Sequence, residues 1–186
     1  MSFDFGMELS DMKNPAAVEK YVDYLQSVFH LVLVSERFDE SMILMRRRLG
    51  WSLNDMIYRN VNTYIGPEKS HVFTEQEKLA HRHFNVADYV LYERFAKRFE
   101  EHVQEELGQG LAEEVEEYRR ILAQVATFCA EGTAGVLYVN ATDWNDGFEV
   151  ERQECKTMSM SETGLVEIVR NEQNLRMKQH IPNLNV

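Results

Sequence analysis

The densest group of residues able to do chemistry is Ser35-Glu36-Arg37-Phe38-Asp39-Glu40-Ser41, which follows the apolar run His30-Leu31-Val32-Leu33-Val34. In open α/β sheets, ligands collect at the carboxyl ends of strands, where the chain passes into a helix. Glu36 and Asp39 are therefore candidates for holding a substrate hydroxyl. Each also has an internal use: Glu36 can pair with Arg37 or a neighbour, and Asp39 can cap the helix that follows. Lys69-Ser70-His71, behind the turn Gly66-Pro67, carries donors suited to a phosphate or sulfate. The same three residues also make an ordinary solvated loop. Arg46-Arg47-Arg48 is a basic run, but consecutive helical residues point in different directions, and cations in a last helical turn complement the helix dipole.

Other chemistries find little to build on. His81 and His83 are two apart on a helical pattern and face different sides, with no neighbouring Cys or His to complete a zinc set. No Gly-x-Ser-x-Gly elbow, Cys–His nucleophile pattern or phosphate-binding glycine loop occurs in the 186 residues. Cys129 and Cys155 are ordinary thiols in a reducing compartment and a candidate disulfide in a secretory lumen. Asn140-Ala141-Thr142 is a glycosylation sequon, making Asn140 a candidate modification site.

The elements that must position these groups follow from periodicity and punctuation. Asn14-Pro15 reads as a cap with proline at the first helical position, and Val18, Tyr21, Leu25 and Val28 continue a helix to about Phe29. The run His30–Ser35 is short, continuously apolar and β-rich, as in a strand buried on both faces of a parallel sheet. A second helix is predicted from near Asp39, with Met42, Met45 and Leu49 on one face and Gly50 ending it. Residues 51–73 predict a long loop with a short helix. Thr74 and Glu77 form a capping box that opens one long helix through Leu79, His83, Ala87, Leu91, Phe95, Phe99 and Val103. Gly108-Gln109-Gly110 breaks it. Leu111, Val115, Tyr118, Leu122, Val125 and Cys129 mark the next helix, so an antiparallel helical hairpin is expected over residues 74–131. Val136–Val139 predicts a strand, Asn145-Asp146-Gly147 a turn, and Ser161–Lys178 a last helix ended by Pro182. The chain is thus expected to be one α/β domain, 1–186, with an α/β part at 1–73, the hairpin at 74–131 and a tail region at 132–186.

Bulk properties narrow the function classes. The net charge of −11 repels phosphate backbones, so nucleic acid is a poor partner. A hydrophobic fraction of 44% is enough for a packed core. Residues 1–14 lack the cationic start and apolar run of a signal peptide, and no stretch approaches the roughly 20 apolar residues that span a bilayer. Taken by themselves, these features describe a soluble chain.

The run Leu31-Val32-Leu33-Val34-Ser35-Glu36-Arg37-Phe38-Asp39-Glu40-Ser41-Met42-Ile43-Leu44-Met45-Arg46-Arg47-Arg48-Leu49-Gly50-Trp51 resembles the galactose 3-O-sulfotransferase family, which reads "LVLI-E-FDESL-LLRR-LCW" there. Phe3-Asp4-Phe5-Gly6-Met7 resembles that family's "FDLGL" segment. Tyr58 with Asn62 resembles its "Y…LN" segment. Asn85, Asp88, Leu91, Tyr92 and Phe95 resemble its "WN-xD-xxLY-xxF" helix. Cys155, Met158 and Glu162 faintly match a late "C-RM-xPE" segment. Gly50 replaces the family's Cys before Trp, Phe84 replaces its Trp before Asn, and Ala134–Glu151 matches none of its segments.

The resemblance implies the C-terminal part of a P-loop-like sulfotransferase fold, helix-dominated, with a buried parallel strand and a long helical hairpin. It implies a type II Golgi membrane enzyme that moves a sulfuryl group from 3′-phosphoadenosine 5′-phosphosulfate, without a metal, to the 3-hydroxyl of galactose in a glycolipid or glycan. The family's donor loop, main 3′-phosphate segment and membrane anchor have no matching positions here, so no catalytic residue carries over. Lys69 and Ser70 are the expected donor contacts, and Glu36 and Asp39 the expected acceptor contacts. The alternative expectation is a catalytically incomplete fragment serving as a helical interaction module. An α/β sheet with an open edge also points to a candidate homo-oligomer.

Overall fold

Asn14 opens the first helix, α1 (Pro15–Val28), by accepting the Ala16 and Ala17 amides at 3.1 and 3.4 Å. This computed structural model describes residues 1–60, 72–132 and 134–180, with side chains as far as Met177. The remaining helices are α2 (Phe38–Leu49), α3 (Glu75–Phe84), α4 (Val86–Leu107), α5 (Leu111–Glu131), α6 (Arg152–Thr157) and α7 (Glu162–His180); the strands are β1 (Val136–Val139) and β2 (Phe148–Glu151). Backbone contacts divide the chain into two compact units, 1–52 with 64–118, and 53–63 with 119–186.

The core of the first unit forms where α1 packs on α4. Val18, Val22 and Leu25 from α1 meet Ala87, Leu91 and Phe95 from α4, and Met7 closes the cluster. Burying a Val, Leu, Met or Phe side chain contributes about 1.5–3 kcal/mol, so this seam stabilises the unit substantially. Further along α4, Phe99 and Val103 are also buried, as the steps of four predict. Gly50 ends α2 in the left-handed conformation, with φ of 68°.

Three expectations for this unit need correction. Residues 31–34 are not a strand. They are extended, as Val34 shows with φ −109° and ψ 117°, but no described strand lies beside them, and Leu33 is 38% exposed. A ladder needs a partner, and an apolar β-prone run without one stays extended and unpaired. The helix after Thr74 is not continuous. The capping box forms as predicted, but Asn85 leaves helical geometry at ψ 33° and its side chain turns back to donate to the His81 carbonyl at 2.9 Å, splitting α3 from α4. Leu79, expected on the buried face, is consequently 66% exposed. Finally, α2 buries Ile43 and Leu44, whereas Leu49, expected on the buried face, is exposed.

In the second unit, β1 and β2 form an antiparallel pair with Val136 opposite Glu151 and Val139 opposite Phe148. The parallel sheet expected from the sequence is thus replaced, among the described residues, by this two-stranded hairpin. Its turn uses Gly147 at φ 76°, where a Cβ would meet the Ala141 amide nitrogen at 2.9 Å. Glu151 and Glu154 form a capping box at the start of α6. Cys129 near the end of α5 and Cys155 in α6 are disulfide-bonded, with Cα atoms 5.5 Å apart. The Arg152 guanidinium lies 3.7 Å from the centroid of the Phe128 ring and donates to the Phe128 carbonyl.

Candidate functional site

The site begins at a corner made by Ser41. This residue, fully buried in the first turns of α2, accepts the Val34 N–H at 2.9 Å and donates its hydroxyl to the Val34 carbonyl at 3.0 Å. The Arg37 N–H donates to the same carbonyl at 3.0 Å. These bonds pin the end of the extended segment to the helix and fix the short turn Ser35–Arg37 between them. The direction in which Glu36 leaves the backbone is set here.

Arg37 does not neutralise Glu36. Its Nη2 donates to Glu40 at 2.8 Å, a second nitrogen holds the Glu100 carboxylate on α4, and its guanidinium lies 5.2 Å from the Phe99 ring centroid. The Glu40 hydrogen bond, with Glu100 behind it, outweighs desolvation and raises the Arg37 pKa, so its charge is permanent. Glu36 turns instead to the Ser35 hydroxyl at 3.3 Å and to the hydroxyl of Tyr92 on α4. Desolvation, and then the negative charge of the neighbouring Glu36 carboxylate and a hydrogen bond to it, hold the Tyr92 phenol above its ordinary value.

Beside this pair opens a pocket of about 430 Å³. Its walls are Met1, Phe5, Leu25 and Phe29, the extended Leu31–Val34, and Leu91, Phe95 and Ala96 of α4; Ser35, Glu36 and Tyr92 are its polar side chains. That size and that ratio of apolar wall to convergent polar groups suit a small organic ligand. Three separate stretches meet here. Phe5 belongs to the segment that starts the chain, which is tied down at both ends: the Met1 ammonium and the Ser2 N–H donate to Asp88 on α4 at 3.4 and 2.6 Å, and the Tyr21 hydroxyl donates to the Phe5 carbonyl. Burial opposes ionisation of Asp88, but the contacts to Ser2 and to the amino group of Met1 together outweigh it and hold the carboxyl below its usual range.

The residues singled out from sequence fare differently. Glu36 lines the pocket. Asp39 does not: it is the second residue of α2, the cap position is Arg37 with no side-chain cap bond, and Asp39 has an interaction of its own within the protein. The expected cap is therefore replaced by a favourable dipole position. Arg46 and Arg47 are ion-paired to the buried Glu114, with Arg47 reaching Glu106 as well, so the basic run is an internal brace. His81 and His83 stay apart, the first against the Tyr89 hydroxyl at 3.2 Å and the second against the Phe84 ring. Lys69, Ser70 and His71 lie outside the described residues. Asn140 is exposed just after β1.

A phosphosulfate nucleotide does not fit the pocket. Its lining holds no Lys or Arg, the Met1 amino group is paired with Asp4 and Asp88, and Glu36 would repel a polyanion. Nearby cations are committed: Arg94 to Glu19 and Asp23, and Arg98 to the Gln26 carbonyl. This pocket therefore suits a neutral, hydroxyl-bearing molecule.

The geometry brings together the very segments that carry the sequence resemblance, and comparison with known proteins agrees. The galactose-3-O-sulfotransferase family profile matches residues 1–158. The chain belongs to this family. Mouse galactose-3-O-sulfotransferase 2 is 33% identical over 132 residues, 70% of this chain and 33% of its own length. Human galactose-3-O-sulfotransferase 2 is 31% identical over 132 residues, again 70% of this chain and 33% of its own. Mouse galactosylceramide sulfotransferase is 30% identical over 134 residues, 72% of this chain and 31% of its own. The chain thus spans about a third of the length of these relatives. No solved structure matches. Among the described residues, no helix is long and apolar enough to cross a membrane.

Proposed function

We propose that this chain is the C-terminal portion of a P-loop-like galactose 3-O-sulfotransferase domain and supplies the acceptor side of its active site. The observation that carries this reading is the apolar pocket lined by Glu36 and Tyr92, within the residues that the family profile matches. The acceptor is a galactose-terminated glycolipid or glycan. The Glu36 carboxylate accepts a hydrogen bond from a sugar hydroxyl and Tyr92 steadies Glu36, while the apolar wall takes the sugar's CH face or the adjoining aglycone. Orientation of this kind lowers the barrier to transfer without any bond being made to the protein.

Sulfate would come from 3′-phosphoadenosine 5′-phosphosulfate, with Lys69 and Ser70 as the proposed contacts in this chain. No metal is required by this reading. The Cys129–Cys155 disulfide supports a lumenal, oxidising location such as the Golgi.

Titration calorimetry tests it in two arms. A β-galactoside glycolipid in mixed micelles should bind this chain and lose about tenfold in affinity in Glu36→Gln, the cost of one charge-assisted hydrogen bond. Equal binding by the variant removes Glu36 from the acceptor site. 3′-Phosphoadenosine 5′-phosphate should bind and be weakened by Lys69→Ala; absence of heat would show that this chain does not hold the donor.

One observation favours a second reading, a non-catalytic interaction module. Helix α3 has no buried residue and leaves Leu79 66% and Phe84 73% exposed. A folded chain that binds neither ligand but associates through this helix, and stops doing so in Leu79→Glu, would establish that reading instead.

A further inference from the structure

We propose that Asn140 carries an N-linked glycan, attached before the β1–β2 hairpin closes. Asn140-Ala141-Thr142 is the single Asn-x-Ser/Thr sequon in the 186 residues, and its middle residue is not proline. Asn140, Ala141 and Thr142 are all exposed, directly after β1, so a glycan there leaves the protein into solvent. The Asn140 side-chain amide makes no hydrogen bond to any described residue, whereas Asn145, four residues after Ala141, is buried and bonded on both sides of its amide. The sequon also lies inside the loop closed by Cys129–Cys155, so the same oxidising compartment that makes the bond presents the sequon to the transferase.

The order follows from the hairpin. Thr142 Oγ1 accepts the Trp144 N–H at 3.2 Å and the Asn145 Nδ2 at 2.9 Å, and the Thr142 N–H donates to the Asn145 carbonyl at 2.9 Å. Both lone pairs of the hydroxyl that a transferase must recognise are thus occupied in the folded turn. The Gly147 backbone packs so closely on Ala141 that a Cβ there would meet the Ala141 amide nitrogen at 2.9 Å. Transfer therefore takes place on the open chain: the Asn140 amide nitrogen attacks C1 of a polyprenyl-diphosphate-linked oligosaccharide and loses a proton. The N-glycosidic bond forms, the C1–oxygen bond to phosphate breaks, and the polyprenyl diphosphate leaves. This inference requires entry to the lumen and is independent of whether the chain binds donor or acceptor.

The test is translation of the full chain behind a cleavable secretion leader in the presence of microsomes, with protease protection confirming import. Because modification occurs on the unfolded chain, a folding failure leaves the readout intact. Part of the imported chain should run one glycan heavier, and peptide N-glycosidase should abolish the shift and convert Asn140 to Asp in the peptide mass spectrum. Asn140→Gln and Thr142→Ala should show no shift, and Thr142→Ser should retain one. A protease-protected wild-type chain with no shift overturns the site. Cys155→Ser should raise the glycosylated fraction, since the hairpin then closes later; an unchanged or lower fraction overturns the order.

Discussion

The Glu114 carboxylate, 1% exposed in the first turn of α5, receives the Arg47 Nε of α2 at 2.7 Å. Arg46 holds its other oxygen, while Arg47 also reaches Glu106 at 2.7 Å and the Gln109 carbonyl at 3.2 Å. One buried carboxylate thereby locks α2 to the end of α4 and the start of α5, all within the first unit. Glu114→Ala takes the shared carboxylate from Arg46 and leaves Arg47 with Glu106 and the Gln109 carbonyl, and should destabilise the unit by about 3 kcal/mol, read as a lower midpoint in urea unfolding. A midpoint within error of the parent would show that water or Glu106 replaces the carboxylate.

Ser41 offers a sharper test of the corner. Ser41→Ala nearly keeps the volume of the site but leaves the Val34 amide without its partner and the Val34 carbonyl with the Arg37 N–H alone, at a cost of about 1–3 kcal/mol. Hydrogen exchange at the Val34 amide should accelerate by more than exchange in α4, and Glu36-dependent ligand affinity should fall with it. Unchanged protection at Val34 would mean that the turn Ser35–Arg37 holds itself.

Acid should act through Asp88. Its folded pKa lies below its unfolded value, so its contribution is fully present above the ordinary aspartate range and is lost as pH falls through the lowered value. Thermal midpoints should drop steeply on acidification in the parent and less steeply in Asp88→Asn, which starts from a lower stability at neutral pH. Parallel curves would show that other carboxylates dominate.

Reduction should loosen the second unit. Cutting a disulfide that spans 26 residues typically costs about 2–4 kcal/mol. Dithiothreitol should lower the thermal midpoint of the parent and have no effect on Cys129→Ser/Cys155→Ser. Equal midpoints for parent and double variant would mean that Arg152 on Phe128 and the β1–β2 pair already suffice.

Much of the secondary structure is written locally. Asn14-Pro15, the Thr74/Glu77 box, Gly50, the fours of Leu91, Phe95, Phe99 and Val103, and the Asn145-Asp146-Gly147 turn each act within a few residues, through caps, periodicity and turn chemistry, and each reads directly from the sequence. The family, too, is legible there, because Phe38-Asp39-Glu40-Ser41 and its flanking segments keep their order. What the sequence could not decide is partnership. An apolar run becomes a strand only beside another, and Leu31–Val34 finds none among the described residues. Asn85 was one polar residue in a helical pattern until its side chain turned back to His81. Arg46 and Arg47 looked like a dipole complement until α5 brought Glu114 to them from 67 residues away for Arg47. Ser41 and Tyr92 carried no signal beyond their place in a motif; only the fold, by setting α4 against the end of the extended segment, made one a latch and the other the companion of Glu36. Short-range preferences are properties of neighbouring residues, whereas ion pairs, pockets and polar networks depend on which distant groups the packed core makes meet.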